Sequence, residues 1–352
     1  MNFWKKLDKP IKVLAPMAGY TDSAFRLVCK KFGCDVVVSE LISADAIYHH
    51  AKNWYFDEKT GEWRSKRGYD ETLEMLKFDE AERPYVIQLF GKFPEKFAYA
   101  AKWVSENIRP DGIDINMGCP ARKVVGSDHG AALLKNPKLA SEIVRSVKAN
   151  TDLAVSVKTR LGWEDDDEIL KFAPILAEAG IDELMIHGRT YKDGFKNKAR
   201  WENIYKVKEM FGDKIVVIGN GDIGQISNPS TGSGQVLQFL ISNQIPNPNF
   251  KTGKKIENQK NWLDGVAIGR ATFGKPWIFS KNEISIEELK ELILYHADLA
   301  FKSKDKKGII EFRKHLLSYI KGFPDAKELR KVVVAIENID DVAGIVEKMQ
   351  NL

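Results

Sequence analysis

The chain has 352 residues, 43% of them hydrophobic and 29% charged, with 54 Lys/Arg against 49 Asp/Glu and a formal net charge of +5. This is ordinary globular composition with length for about two domains, which excludes disordered, collagen-like and disulfide-scaffold classes. Three cysteines, Cys29, Cys34 and Cys119, form no CxxC pair, which disfavours a disulfide framework or zinc site and fits a reduced, cytoplasmic setting.

Residues 2–10 contain no long apolar stretch and no run long enough to cross a bilayer follows, so neither a signal segment nor a membrane span is expected. Apolar, β-branched runs then alternate with amphipathic stretches. A run at 13–15 precedes a helical pattern over 23–31, and 36–38 follows. The runs 84–89, 112–115, 153–157, 183–186 and 215–218 precede helical patterns over 95–106, 137–149, 166–179, 201–211 and 236–242. A last run covers 265–268. Strands alternating with helices predict a parallel sheet. Eight such units over about 250 residues predict an α/β fold of the (β/α)8 TIM-barrel type rather than a doubly wound sheet. No GxGxxG follows the first run, so the usual dinucleotide fingerprint is missing. Residues 53–69, with a turn at Lys59-Thr60-Gly61, and residues 246–261, with Pro246, Pro248 and a basic patch, are expected to decorate the barrel as loops or a hairpin.

After Trp277-Ile278-Phe279 the alternation stops, and from Ile286 the pattern is helical. The reading is a barrel domain over residues 1–282 and a small all-helical domain over 283–352. Residues 302–331 carry ten Lys/Arg against four Asp/Glu, a net of +6 that exceeds the charge of the whole chain. Such a surface is either a solvated face or a seat for a nucleic-acid backbone.

In a barrel of this type the loops after the strands carry function. Those positions hold Pro16-Met17-Ala18-Gly19, Gln88, Asn116-Met117-Gly118-Cys119-Pro120, Lys158 and Arg160, His187-Gly188-Arg189, Asn220-Gly221-Asp222 and Gly269-Arg270. Glycines in the last two loops let backbone N–H groups approach a phosphate, and Arg270 adds charge and a fork of donors. The plainer reading of Asn220-Gly221-Asp222 is a turn. Lys158 either meets an anionic or electron-rich ligand in the barrel mouth or snorkels to solvent. Cys119, near Arg122 and Lys123, is either an inert small hydrophobe or a thiol able to donate a proton or attack. His187 reads as acid, base, ligand or core residue, and without an HExxH partner no metal is expected.

Together these segments resemble the tRNA-dihydrouridine synthases. The resemblance is carried by Ala15-Pro16-Met17-Ala18-Gly19-Tyr20-Thr21-Asp22, by Asp114-Ile115-Asn116-Met117-Gly118-Cys119-Pro120, and by Val157-Lys158-Thr159-Arg160-Leu161-Gly162. His187-Gly188-Arg189-Thr190, Asn220-Gly221-Asp222-Ile223 and Ile268-Gly269-Arg270 follow in the family's order. The tail residues Phe312-Arg313-Lys314-His315 and Tyr319-Ile320-Lys321-Gly322 are similar to the bacterial B-type branch. The resemblance implies FMN-dependent reduction of a D-loop uridine in tRNA to 5,6-dihydrouridine, with NADPH as electron donor. It implies that Pro16, Met17 and Ala18 line the flavin, that Gln88 and Lys158 contact its ring, and that His187 sits beside it. Asn220, Gly221, Asp222, Gly269 and Arg270 would hold the phosphate arm. Asn116 and Arg160 would grip the uracil while hydride passes from flavin N5 to C6. Cys119 would protonate C5 from the opposite face, a role that suits a thiol because thiols are mostly protonated at neutral pH. Arg313, Lys314 and Lys321 would hold tRNA, and a monomer is the default expectation for a protein that must wrap it.

The chain departs from the family pattern at Ser127-Asp128-His129-Gly130 and at Tyr191-Lys192-Asp193-Gly194-Phe195. At least one of the two insertions is expected to touch tRNA, the second through Lys251, Lys254 and Lys255. Two other functions compete: reduction of a free pyrimidine, as in dihydroorotate dehydrogenases, and RNA binding without catalysis. The basic helical domain argues against the first, and Cys119, Lys158 and His187 on one rim argue against the second.

Overall fold

The computed structural model describes residues 2–223, 263–280 and 282–349. The expected helix at 236–242 and the insertion at 246–261, with Lys251, Lys254 and Lys255, lie outside them. The strands are β1 (Ile11–Leu14), β2 (Val36–Ser43), β3 (Trp54–Asp57), β4 (Glu62–Ser65), β5 (Tyr85–Phe90), β6 (Gly112–Met117), β7 (Ala154–Arg160), β8 (Glu183–His187), β9 (Val216–Asn220) and β10 (Gly265–Ile268). All but β3 and β4 close into one parallel barrel, ordered β1-β2-β5-β6-β7-β8-β9-β10 and back to β1. This is the expected TIM barrel. The first insertion is an antiparallel hairpin, β3–β4, pairing Trp54 with Ser65 through Asp57 with Glu62.

Period-two alternation explains how each strand serves both faces. Ile113, Ile115, Val155, Val157, Leu184, Ile186 and Val217 join the large core under the surrounding helices. Val13, Val36, Val38, Val86, Ala154, Met185, Ile218 and Ala267 form a separate apolar cluster with Trp4. Trp4 comes from a short 3-10 turn, Phe3–Lys6, capped by Asn2. Further along the same strands the alternate positions turn polar, at Gln88, Asp114, Asn116, Ser156, Lys158, His187 and Asn220. One end of the barrel interior is therefore mostly apolar, with the buried Glu183 as its exception, and the other is a polar mouth.

Strand β2 runs five residues past the expected 36–38, to Ser43. A register shift between Val38 and Leu41 absorbs the polar Ser39-Glu40 pair, and Ser39 Oγ accepts from the Gln88 N–H at 2.9 Å.

The helices are α1 (Ser23–Lys31), α2 (Ala44–His50), α3 (Glu71–Leu76), α4 (Pro94–Asn107), α5 (Arg122–Val125), α6 (Pro137–Lys148), α7 (Glu168–Ala179), α8 (Glu202–Phe211), α9 (Ile286–Tyr319), α10 (Ala326–Val333) and α11 (Ile339–Lys348). Helix α9 opens with a Ser285/Glu288 capping box and breaks at Lys304 and Asp305, where φ is +49° at Asp305. Its two arms, α10 and α11 bury a second core that also takes in Ala24 and Val28 of α1 and Trp277. No helix among the described residues is long and apolar enough to cross a membrane.

Candidate active site at the barrel mouth

Strand register brings the expected residues together. Asn116 pairs with Lys158, Arg160 with His187, and His187 with Asn220. The segments after β1 and β10 adjoin, since Leu14 pairs with Ile268. The turn after β1 is closed by Tyr20 and Thr21 N–H groups donating to the Met17 carbonyl at 2.9 and 3.0 Å, which leaves Pro16, Met17 and Ala18 at the rim.

A line of hydrogen bonds runs across the barrel to Cys119. Gln88 Nε2 donates to Asp114 Oδ2 at 2.6 Å, and Ser156 Oγ donates to Asp114 Oδ1 at 2.8 Å. Gln88 Oε1 accepts from Asn116 Nδ2 at 2.9 Å. Asn116 Oδ1 then accepts the N–H groups of Gly118 and Cys119, at 3.3 and 2.9 Å. Arg160 Nε donates to the Gly118 carbonyl at 2.7 Å, and its Nη1 donates to the carbonyls of Thr190 and Gly194. Asn116 and Arg160, expected to hold a ligand, thus first hold the loop that presents Cys119. Asn116 uses both ends of its amide in this, while Arg160 keeps Nη2 for a ligand.

Cys119 is half-buried, and the atypical loop after it is fastened to it. Ala131 N–H donates to the Cys119 carbonyl at 3.1 Å. Gly130 lies so close that a Cβ there would fall 3.2 Å from Cys119 Cβ and 2.9 Å from Val124 Cγ1. The departure at Ser127-Asp128-His129 therefore keeps the one glycine that the packing demands.

Burial sets the charges of the mouth. It pushes the Asp114 carboxyl up to about 6, against the opposing hydrogen bonds from Gln88 and Ser156. It lowers the Lys158 ammonium to about 8, with Arg160 adding to the effect. Burial, then the surrounding cations Lys158, Arg160, Arg189 and Arg270, holds His187 well below the usual imidazole range. At pH 7 the ring is neutral, able to donate or accept but not to carry charge.

Lys158 Nζ donates to Asn220 Oδ1 at 3.3 Å, and Asn220 Nδ2 donates to the Ala267 carbonyl at 2.7 Å. The exposed Arg270 lies over the Phe195 ring at 4.4 Å from its centroid. Among the described residues neither Lys158 nor Arg270 makes a direct ion pair with a carboxylate, although Asp114 and Glu183 act on Lys158 from a distance. The Asp222 carboxylate is already engaged, by Arg189 Nη2 at 2.6 Å and Ala199 N–H at 2.7 Å. Gly221 has φ +120°, and a Cβ there would lie 2.9 Å from His187 Cδ2 and 2.8 Å from Ala199 Cβ. Gly269 opens toward Met17, whose Sδ is 3.5 Å from where a Cβ would stand.

Three contributors received no role in the sequence reading, Asp114, Ser156 and Phe195, while Arg189, placed there on the rim, serves to hold Asp222. Asp114 carried a usable signal, a carboxylate two residues before Asn116 in an otherwise apolar strand. Phe195 carried none, since its place over Arg160 and Arg270 depends on the fold of a loop.

The tail residues separate. Arg313 is partly buried and donates twice to the Ile336 carbonyl, at 3.0 and 2.6 Å. Lys314 lies 4.0 Å from Asp22 and over the Tyr20 ring. Lys321 is exposed.

Comparison with known proteins agrees with this arrangement. The family model for dihydrouridine synthase (Dus) matches residues 13–232 and 247–351. A probable tRNA-dihydrouridine synthase of Aquifex aeolicus is 30% identical over 361 residues, covering 99% of this chain and 97% of that protein. Probable tRNA-dihydrouridine synthase 2 of Bacillus subtilis is 31% identical, with 99% and 97% covered. tRNA-dihydrouridine synthase B of Pseudomonas syringae pv. tomato is 32% identical, with 93% and 88% covered. A match of that extent, on a barrel whose mouth gathers the motifs that first suggested the likeness, leaves one assignment: the chain belongs to the dihydrouridine synthase family.

Proposed function

We propose that this oxidoreductase is a tRNA-dihydrouridine synthase acting as a cytoplasmic monomer. It reduces a D-loop uridine to 5,6-dihydrouridine with bound FMN and with NADPH as donor. The observation that carries the reading is the line Asp114–Gln88–Asn116–Cys119, which anchors one cysteine in a mouth where Lys158 and Arg160 lie close enough to act on it.

The residues fit FMN. Lys158 and Arg270 await an anionic or electron-rich ligand, as buried or converging cations must. Pro16, Met17 and Ala18 line one side, with the second N–H of Gln88, Lys158 and neutral His187 toward the ring. Asn220, Gly221, Gly269 and Arg270 take the phosphate arm, and Asp222 supports them by anchoring Arg189. When bound, FMN supplies the hydride chemistry, recharged by NADPH.

The protein's own work is positioning and proton delivery. Arg160 Nη2 and Asn116 orient the uracil, and Cys119 gives its thiol proton to C5 as hydride arrives at C6. The uridine must leave its stack to reach the mouth, which costs a few kcal/mol and favours a loop nucleotide. Lys314 and Lys321 hold the tRNA backbone.

The test is anaerobic. The purified protein is reduced with NADPH and mixed with tRNA lacking dihydrouridine while the visible flavin band is followed. Return of the oxidised band with tRNA, but not with free uridine or orotate, is expected. A flavin that stays reduced rejects the substrate, and a protein without a flavin band rejects the cofactor.

A further inference from the structure

The chemistry at the mouth makes no use of His296 and His315. They lie on the two arms of α9, on either side of its break at Lys304 and Asp305. They are 1% and 2% exposed, and their rings are 4.7 Å apart between centroids. Phe25 packs on both rings and Phe312 meets His296 edge-on. The Tyr319 hydroxyl lies 3.1 Å from His296 Nδ1. The Nε2 atoms of both histidines are buried and have no hydrogen-bond partner among the described residues.

Asp22 reaches the pair from the barrel. Its Oδ1 caps α1 by accepting from the Phe25 N–H at 2.9 Å, and its Oδ2 lies 4.0 Å from His315 Nε2. That is too long for a hydrogen bond. One ligand atom from each of Asp22, His296 and His315 falls within 4.8 Å of the others. Two buried, unpartnered imidazole nitrogens beside a carboxylate are an arrangement that needs a third party.

We propose that Asp22, His296 and His315 form a binding site for one divalent transition-metal cation, which clasps both arms of α9 to the start of α1. Two imidazoles and a carboxylate are a donor set that zinc accepts, with water in the fourth position. At metal–ligand distances of about 2.0–2.1 Å the ligand atoms of a tetrahedral site stand roughly 3.3 Å apart. The ligand atoms now stand within 4.8 Å of one another, with 4.0 Å between His315 Nε2 and Asp22 Oδ2, and must draw together when a metal binds. Tyr319 on His296 Nδ1 is the outer partner that fixes the ring and leaves Nε2 for the metal. Among the described residues three cations act on Asp22: Arg26, held by Glu82; Lys304, paired with Glu311; and Lys314, 4.0 Å from Asp22 Oδ2 and exposed enough to turn to solvent when a metal binds. Spacing does not announce this site, because the ligands are far apart in the chain and follow no zinc pattern.

The test uses the full-length, flavin-loaded protein. It is stripped with a chelator, desalted, and titrated with Zn2+ against a competing chromophoric chelator, with thermal melting in parallel. The comparison is Asp22→Asn, which keeps a good N-cap for α1 but loses the carboxylate. The wild type is expected to bind one zinc more than the variant and to melt higher with zinc. The variant is expected to lose more than roughly 100-fold in affinity, beyond the loss typical of an outer partner, with its metal-free melting unchanged. Tyr319→Phe is expected to weaken binding by about tenfold. Equal zinc uptake and equal zinc-induced melting shifts in wild type and Asp22→Asn overturn the proposal, as does a wild type that takes up no zinc.

Discussion

At the residue scale, the mouth shows how one thiol is held through its backbone rather than through its sulfur. Cys119 has its N–H on Asn116 and its carbonyl on Ala131, so its side chain is aimed by backbone anchors rather than by its own bonds. Cys119→Ala keeps those anchors. It is expected to retain flavin and to be reduced by NADPH normally, while turnover on tRNA falls about 10²–10⁴-fold, the usual worth of a positioned acid. Rapid mixing of the two half-reactions separates these outcomes, and unchanged turnover on tRNA removes Cys119 from the role. Asp114 gives a second expectation. Its folded carboxyl titrates at about 6 against an ordinary value of 3.8, because burial disfavours the anion. A raised carboxyl contributes stability that is fully present below its unfolded pKa and lost as pH rises through the folded one. Asp114→Asn mimics the protonated form and escapes that loss. Its stability relative to wild type is expected to improve by up to about 3 kcal/mol between about pH 4 and about pH 7. Urea unfolding of both proteins across that range checks the sign, and a pH-independent difference contradicts it.

At the element scale, the strands were legible because each needed only a short apolar run with polar residues at alternate positions near one end. Register then did what spacing could not. Lys158 and Asn220 meet across the barrel, and neither sequence neighbourhood announces the other. The loop over residues 188–200 was illegible for the same reason. Arg189 reaches Asp222 and Arg200 pairs with Asp193 at 2.7 Å, so its shape is set by ion pairs that close only after folding. Those pairs support the loops expected to hold the phosphate arm. Lys158→Ala and Arg270→Ala are therefore expected to weaken FMN retention by about tenfold each, the scale of one hydrogen bond to a charged group. Gly221→Ala should do more, since its Cβ meets His187 and Ala199 and its φ of +120° is foreign to alanine. Flavin content after extensive dialysis reads all three, and full retention in Lys158→Ala or Arg270→Ala removes that residue from the cofactor.

At the scale of the whole molecule, the question is what the basic helical region does. The count of +6 over residues 302–331 was plain in the sequence, but its distribution was not. Lys302 pairs with Asp298, Lys304 with Glu311, Lys306 with Glu337 and Lys331 with Glu328. Arg313 is turned inward to Ile336. Lys304–Glu311 and Lys306–Glu337 link separate segments and the other two pairs lie within a helix, and each pairing offsets part of the charge a partner would meet. Lys307 links the region to the first insertion, donating to the Tyr69 hydroxyl at 2.6 Å. Besides Lys314, which lies 4.0 Å from Asp22, what remains is a narrower set: Lys321, Lys327 and Arg330, all exposed and outside any ion pair among the described residues. Cutting the chain before α9 would uncover Ala24, Val28 and Trp277, which are buried in the second core, so truncation confounds binding with stability. Reversing the three charges does not. The triple variant Lys321→Glu, Lys327→Glu, Arg330→Glu is expected to fold, to keep its flavin and to bind tRNA more weakly. Because each phosphate contact releases counterions, the slope of log affinity against log salt should flatten by about two to three. A solvated face predicts the opposite, with affinity and slope both unchanged, and then the grip on tRNA must come from the rim of the barrel and the β3–β4 hairpin.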